Sequence, residues 1–272
     1  MTDRYAVIGR PISHTKSPLI HGLYAEATGQ DIAYGAIEGS LDHFADDVRG
    51  FRDEGGRGMN ITAPFKMQAF ELADSRSARA TLAKASNCLK FENGKIFAEN
   101  YDGIGLLRDI QSNLKTPLAG RRLLILGAGG AVRGAILPFL EAGPAQVVVV
   151  NRDVTKAQAL AIEVNNPLLT VLGYDDLAGQ TFDVVVNATS ASLMGECPPI
   201  HGDVFKDVQL AYELAYGKGL TPFLRLARES GVKAIADGVG MLVEQAAEAF
   251  EWWRGVRPDT RPVIDRLTVP LV

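Results

Sequence analysis

Arg121-Arg122-Leu123-Leu124-Ile125-Leu126 runs directly into Gly127-Ala128-Gly129-Gly130-Ala131-Val132. An apolar strand that ends on glycines and opens a helix constrains this chain more than any other stretch. A strand without polar alternation must be covered on both faces, as in a parallel sheet. Gly127 suits a tight turn, and Gly129 lets a backbone approach a pyrophosphate closely. The helix start adds free N–H groups and a partial positive charge for an anion. Val132 stands where G-x-G-x-x-G has its third glycine. Small Ala131 and Gly134 are expected to allow the close helix packing instead. A glycine turn in an unrelated α/β protein is the competing reading.

The end of the next strand bears on the cofactor. Gln146-Val-Val-Val-Val150 ends at Asn151-Arg152. An NAD site places Asp or Glu about 20 residues after the glycines, to hold the ribose 2′-hydroxyl. Arg152 instead suits a 2′-phosphate, and Lys156 adds charge one turn later. Asp153 opposes this reading, because a carboxylate repels phosphate. The expectation is NADP, with NAD as the alternative.

Short apolar runs alternate with helical patterns along the 272 residues, which reads as α/β with two domains. Expected strands are Tyr5–Ile8, Ile32–Ile37, Gly58–Thr62, Leu169–Leu172 and Asp183–Asn187. A helix is expected from Ser17-Pro18, with Ser17 as cap and Pro18 first inside. Further helices are expected over 41–53, from the glycine loop to Glu141, over 154–164, and from Met241 to Trp253. In the last of these Leu242, Ala246, Ala249, Phe250 and Trp253 form a stripe that reads as core.

Formal net charge is −4, with cations spread along the chain, which argues against a duplex nucleic-acid partner. No apolar run approaches the ~18 residues of a membrane span, and the first residues lack a signal-peptide pattern. Cys88 and Cys197 form no C-x-x-C pair, and His14, His21, His43 and His201 lack ligand spacing, so no metal is expected. The expectation is a cytoplasmic enzyme acting on a small molecule, as a monomer or homodimer.

Two polar clusters carry candidate chemistry. Asn60-Ile-Thr-Ala-Pro-Phe-Lys66 places polar groups at a strand end, and Asn100-Tyr-Asp-Gly-Ile-Gly105 supplies Asp102 before a glycine. A paired lysine and aspartate can pass a proton to or from a carbinol oxygen while hydride moves to nicotinamide. Sequence alone does not bring Lys66 and Asp102 together, and solvated surface charge is the competing reading.

Nine segments in order resemble the shikimate dehydrogenase family over nearly the whole chain. They are Ile12-Ser-His-Thr-Lys-Ser-Pro18, Asn60–Lys66, Ala85-Ser-Asn87, Asn100-Tyr-Asp-Gly103, Gly127-Ala-Gly-Gly-Ala131, Asn151-Arg152, Asn187-Ala-Thr-Ser190, Tyr216-Gly-Lys-Gly-Leu-Thr-Pro222 and Ala236-Asp-Gly-Val-Gly-Met-Leu242. The resemblance implies reversible reduction of 3-dehydroshikimate to shikimate with NADPH. It implies Lys66 and Asp102 as the catalytic pair, and Thr15 and Ser17 as hydroxyls for the substrate carboxylate. It implies Asn60, Thr62, Asn87, Gln245 and Tyr216 as further substrate contacts. It implies Gly127, Ala128, Gly129, Gly130, Ala131, Asn151, Arg152, Asn187, Thr189, Gly238 and Met241 at the cofactor, to which the residue reading adds Lys156. A substrate domain over 1–102, completed by 238–272, and a Rossmann-type nucleotide domain over 103–237 are expected, with the site in a cleft and the C-terminal helix returning to the first domain. A site built from many neutral donors and acceptors suits a polyhydroxylated acid and rejects analogues lacking a hydroxyl.

Five positions depart from the family pattern. Thr15 stands for serine, Tyr101 and Cys88 for threonines, Glu213 for aspartate, and Asp153 for the threonine after Asn-Arg. Tyr101 sets a large phenol beside Asp102 in sequence, and Cys88 removes a hydroxyl beside Asn87. The alternatives are a dehydrogenase of quinate or an amino-substituted shikimate, with NAD, or a nucleotide-binding regulatory paralogue of little activity.

Overall fold

The structure is a computed structural model that describes residues 2–272. In chain order its first elements are β1 (Asp3–Gly9), α1 (Ser17–Thr28), β2 (Ile32–Glu38), α2 (Phe44–Asp53), β3 (Gly56–Ile61), α3 (Lys66–Leu72), β4 (Ser75–Arg76), α4 (Ala78–Ala83), β5 (Cys88–Glu92), β6 (Lys95–Glu99) and α5 (Asp102–Arg108). A π-helical turn, Asp109–Asn113, follows. Then come β7 (Arg122–Leu126), α6 (Gly130–Glu141), β8 (Gln146–Val150), α7 (Val154–Val164), β9 (Leu169–Leu172), β10 (Val184–Asn187), β11 (Leu210–Glu213), α8 (Pro222–Glu229), β12 (Ala234–Ala236), α9 (Val239–Arg254) and α10 (Arg261–Leu267). Two compact units result, Met1–Gly105 with Val243–Asp265, and Leu106–Leu242 with Arg266–Val272. The sequence placed these bounds at 102 and 238.

The first unit carries a six-stranded sheet in the order β2-β1-β3-β5-β6-β4. It is mixed: β1 pairs in parallel with β2 and β3, whereas β5 is antiparallel to both β3 and β6. The β5–β6 hairpin was not foreseen. It turns on Asn93-Gly94, both at positive φ (52° and 75°), the geometry that favours Asn-Gly in two-residue hairpins. Because β5 reverses and β6 reverses again, β3 and β6 run the same way. Their carboxyl ends therefore lie at one edge, so the loops that lead to Lys66 and Asp102 start from the same edge with only β5 between them.

The second unit is a parallel sheet in the order β9-β8-β7-β10-β11-β12. This is the doubly wound order of a Rossmann fold, with its switch point between β7 and β10. The continuous apolar strands have a direct cause. Leu123, Ile125, Val147, Val149, Val184 and Val186 face one core layer, and Leu124, Leu126, Val148, Val150 and Val185 face the other. Successive side chains point to opposite faces, so a strand covered on both must be apolar throughout.

Two local expectations are corrected. Ser17 is the first residue of α1 and not its cap. The cap is Lys16, whose ammonium carries no acceptor for a capping bond, while the Ser17 hydroxyl accepts from Thr15 Oγ1 at 3.2 Å. The C-terminal helix starts at Val239, and α10 follows it. Trp253 lies in the first unit's core, stacked on Tyr5 at 4.6 Å and donating from Nε1 to the Leu89 carbonyl at 3.0 Å.

Candidate active site

In the first unit, the loops after β3 and β6 bring Lys66 and Asp102 together, Nζ to Oδ2 at 2.7 Å. The Asp102 side chain is 11% exposed and that of Lys66 34%. The pair is thus enclosed on the carboxylate side and reachable on the ammonium side. Asp102 Oδ1 accepts from Asn87 Nδ2 at 2.8 Å, and Asn100 Oδ1 accepts from the Asp102 N–H at 3.1 Å. The carboxylate is fixed from both sides before any ligand arrives.

Asn87 is 3% exposed, and its amide is used throughout. Nδ2 donates to Asp102 and, at 3.2 Å, to Gln245 Oε1, while Oδ1 accepts from the Tyr101 N–H at 2.9 Å. Gln245 reaches this cluster from the part of α9 that belongs to the first unit. Asn60 is also buried, accepting from the Tyr34 hydroxyl at 2.6 Å and donating to the Asn87 carbonyl at 3.3 Å. Thr62 follows the last residue of β3 and is half-buried. Thr15 and Ser17 are bonded to each other at the start of α1. Of these partners, Asn100 and Tyr34 had no role in the sequence reading. Asn100 lay inside a quoted motif, whereas Tyr34 sits in an ordinary strand pattern that gave no signal.

Tyr101 and Cys88 are explained by packing. Tyr101 is 6% exposed and shares a core cluster with Tyr5, Cys88, Ala249 and Trp253. Trp252 meets it edge-to-face at 6.0 Å, and the Arg79 guanidinium lies 5.7 Å from its ring centroid. The two departures meet in one core cluster. Burial pushes both the Tyr101 phenol and the Cys88 thiol pKa upward.

In the second unit, Gly127 sits at φ +113°, and a Cβ there would lie 3.0 Å from the Ala188 carbonyl oxygen. Glycine is required at this turn twice over, by conformation and by space. Cβ atoms at Gly129 and Gly130 would meet nothing within 4 Å. The start of α6 is therefore open, with backbone N–H groups free to meet an anion. Arg152 and Lys156 are exposed past the end of β8. Arg152 makes no hydrogen bond or ion pair among the described residues. Asp153 does not compete for that space as the sequence suggested. It caps α7, accepting from Thr155 N at 3.1 Å and Thr155 Oγ1 at 2.5 Å. The Thr155 hydroxyl, first among several donors, holds the Asp153 carboxyl below its usual range. Asn151 Nδ2 donates to the Asp153 carbonyl at 2.8 Å and shapes the same turn. These residues fit a dinucleotide with an extra phosphate.

Asn187 is wholly buried, donating to Glu213 Oε2 at 2.9 Å and to Ser192 Oγ at 3.3 Å. Its Oδ1 accepts from the Thr189 N–H and hydroxyl at 3.1 and 2.8 Å. It holds the Thr189 loop rather than facing solvent. Glu213 further accepts from Ser192 Oγ, the Ala215 N–H and Thr221 Oγ1. Its burial nevertheless raises its pKa. Gly238 is fixed by packing, because a Cβ would lie 2.1 Å from the Leu214 carbonyl oxygen. The Met241 N–H donates to Tyr212 OH at 3.3 Å, and that hydroxyl donates to Asp109 at 2.7 Å. Tyr216 is 44% exposed, and Asp237 anchors its loop through the Gly217 N–H at 3.1 Å.

Residues 7–89 match the shikimate dehydrogenase substrate binding domain, 109–194 the shikimate / quinate 5-dehydrogenase family, and 238–268 the shikimate 5′-dehydrogenase C-terminal domain. A shikimate dehydrogenase (NADP(+)) of Chromobacterium violaceum is 52% identical over 98% of each chain. The crystal structure of an Ael1 enzyme from Pseudomonas putida is 68% identical, with a TM-score of 0.99 over 100% of both chains. The shikimate 5-dehydrogenase of Thermus thermophilus, solved in complex with NADP(H) and shikimate, is 31% identical, with a TM-score of 0.87 over 97% of this chain and 98% of that one. With its motifs in order, its two-unit α/β fold and relatives of this identity over full length, the chain belongs to the shikimate dehydrogenase family.

Proposed function

We propose that this chain reversibly reduces the ring ketone of 3-dehydroshikimate to shikimate with NADPH. The observation that carries the reading is the 2.7 Å Lys66–Asp102 contact, braced by Asn87 and Asn100. The hydride for the ring carbon comes from bound NADPH. The Lys66 ammonium, held by Asp102, gives the proton to the developing alkoxide, and takes it back in the oxidative direction. Thr15 and Ser17 hold the carboxylate, while Asn60, Thr62, Gln245 and Tyr216 read the hydroxyls; Asn87, whose N–H groups go to Asp102 and Gln245, has only its Oδ1 left to accept from a substrate hydroxyl. The backbone of Gly127–Ala131 receives the pyrophosphate, and Arg152 with Lys156 the 2′-phosphate. Thr189 and Met241 are cofactor contacts. Asn187 holds the Thr189 loop through its side-chain Oδ1, Gly238 leaves room for the Leu214 carbonyl, and Asn151 shapes the Arg152 turn. No helix among the described residues is long and apolar enough to cross a membrane. A cytoplasmic enzyme, monomeric or homodimeric, suits an NADPH-linked reaction on a small acid.

Initial rates with shikimate and quinate, each with NADP+ and NAD+, test this reading. The expected result is highest kcat/KM for shikimate with NADP+. Preference for quinate, or for NAD+, overturns the respective part. NADP+ binding without turnover on either acid overturns the catalytic role.

A further inference from the structure

Tyr34 lies on β2 and has one short hydrogen bond, 2.6 Å from its hydroxyl to Asn60 Oδ1. The direction of that bond follows from the next one. Asn60 Nδ2 lies 3.3 Å from the Asn87 carbonyl oxygen, which only accepts and also takes the Ile61 N–H at 2.9 Å. The amide nitrogen must therefore face Asn87, and the amide oxygen must face Tyr34, which must donate. The second amide N–H of Asn60 donates to no group among the described residues. In Asn87, by contrast, both N–H groups are directed at Asp102 and Gln245.

The ring that makes this bond is itself held. His21 stacks on Tyr34 at a centroid distance of 4.1 Å and 6° between planes. His21 is fully buried, and neither ring nitrogen meets a hydrogen-bond partner among the described residues. It serves as a flat plate, backed by Tyr24, Phe250 and Trp253. Ser17 precedes His21 by one helical turn on α1, so both face the same side. The Ser17 hydroxyl also interacts with the Tyr34 phenol.

We infer that Tyr34 is a positioning residue for substrate recognition: its hydroxyl, on a ring fixed by His21, locks the Asn60 carboxamide so that Asn60 presents a donor to an acceptor oxygen of the substrate. This rests on the proposed shikimate reaction and adds to it a group that does not touch substrate. Without the hydroxyl the amide loses its single orientation, and half of its rotamers offer the substrate oxygen an acceptor instead.

Tyr34→Phe removes one oxygen and keeps the stack. The expected result is a rise of about tenfold in KM for shikimate. The kcat should stay within about twofold, with NADP+ affinity and thermal midpoint nearly unchanged. In an Asn60→Ala background, adding Tyr34→Phe should have no further effect on KM, because its route has gone. An unchanged KM in Tyr34→Phe, or additive effects in the double variant, overturns the inference. The amide is read separately in the ligand-free chain by NMR. The Asn60 side-chain NH2 should be slow to exchange in wild type and fast in Tyr34→Phe; equal exchange also overturns the inference. Wild-type turnover separates the two claims. An inactive wild type sinks the shikimate reading, while the NMR result still decides the Tyr34 claim.

Discussion

The Lys66 ammonium and the Asp102 carboxylate meet at 2.7 Å although 36 residues separate them. Lys66 opens α3 and Asp102 opens α5. Each stands at the head of a helix that follows a strand running toward the same sheet edge. Lys66→Ala removes the proton donor and leaves Asp102 still fixed by Asn87 and Asn100. The kcat for shikimate oxidation should fall by ~10²–10⁴-fold, with NADP+ affinity retained. Near-normal turnover in the purified variant rules out the proton-transfer role.

Asn87→Ala acts on stability and rate together. It strips one bond from Asp102 and one from Gln245 Oε1, and leaves the buried Tyr101 N–H without its acceptor. An orphaned buried donor costs about 1–3 kcal/mol, so the urea midpoint should drop accordingly. The kcat should also fall, since Asp102 is held on one side fewer. A variant with wild-type stability and reduced kcat would place Asn87 solely in the chemistry.

The second unit was legible in the sequence because its physics is local. β8, α7 and β9 stand where the apolar runs put them, because a strand buried on both faces spells itself without interruption. The first unit was less legible. Its mixed sheet depends on a reversal at Asn93-Gly94, a turn signal that was present and unused. In the candidate site, Lys66 and Asp102 were readable as residues, but their contact depends on strand order, which no single segment encodes. Tyr34 and His21 gave no signal at all, since an aromatic in a strand and a histidine on a helix look like core. Tyr101 is the converse case. Being next to Asp102 in sequence suggested a place in the site, yet neighbouring residues point different ways, and its ring joins Cys88 in the core.

Arg152→Ala tests the phosphate reading. An Arg–phosphate bond is charge-assisted, and its loss should raise KM for NADP+ by about 10–100-fold while leaving KM for NAD+ nearly as it was. Asp153→Thr, by contrast, should move the preference little, because the Asp153 carboxyl is already bound to Thr155. Equal effects of Arg152→Ala on both nucleotides would remove the guanidinium from the 2′-phosphate.

Gly127→Ala combines a positive φ with a Cβ 3.0 Å from the Ala188 carbonyl. Ala188 is tied to β7 through its N–H to the Leu126 carbonyl at 2.8 Å, so it has little room to retreat. The expected outcome is a thermal midpoint lower by several degrees, with a larger loss of NADP+ affinity because the turn under the pyrophosphate is deformed. Calorimetry with and without NADP+ measures both, and an unshifted midpoint with normal ligand stabilisation would contradict the geometry.

His21 gives the acid limb of stability a specific source. Burial pushes its pKa down from 6.5 to about 3, and the nearby Asn60 amide offsets only part of this. Its ring neighbours are Tyr24, Tyr34, Phe250 and Trp253, none of them charged at neutral pH. In the unfolded chain His21 takes up a proton below pH 6.5, while in the folded chain it stays neutral until about pH 3. The unfolded state therefore binds more protons across that window, and stability falls as pH drops through it. By pH 5 the loss from this one group is about 2 kcal/mol. His21→Phe keeps a flat ring and removes the titration. Urea midpoints from pH 7.5 to 5 should fall less steeply in the variant than in wild type. Parallel curves would mean that the folded state also protonates His21, which would require the α1–β2 stack to open.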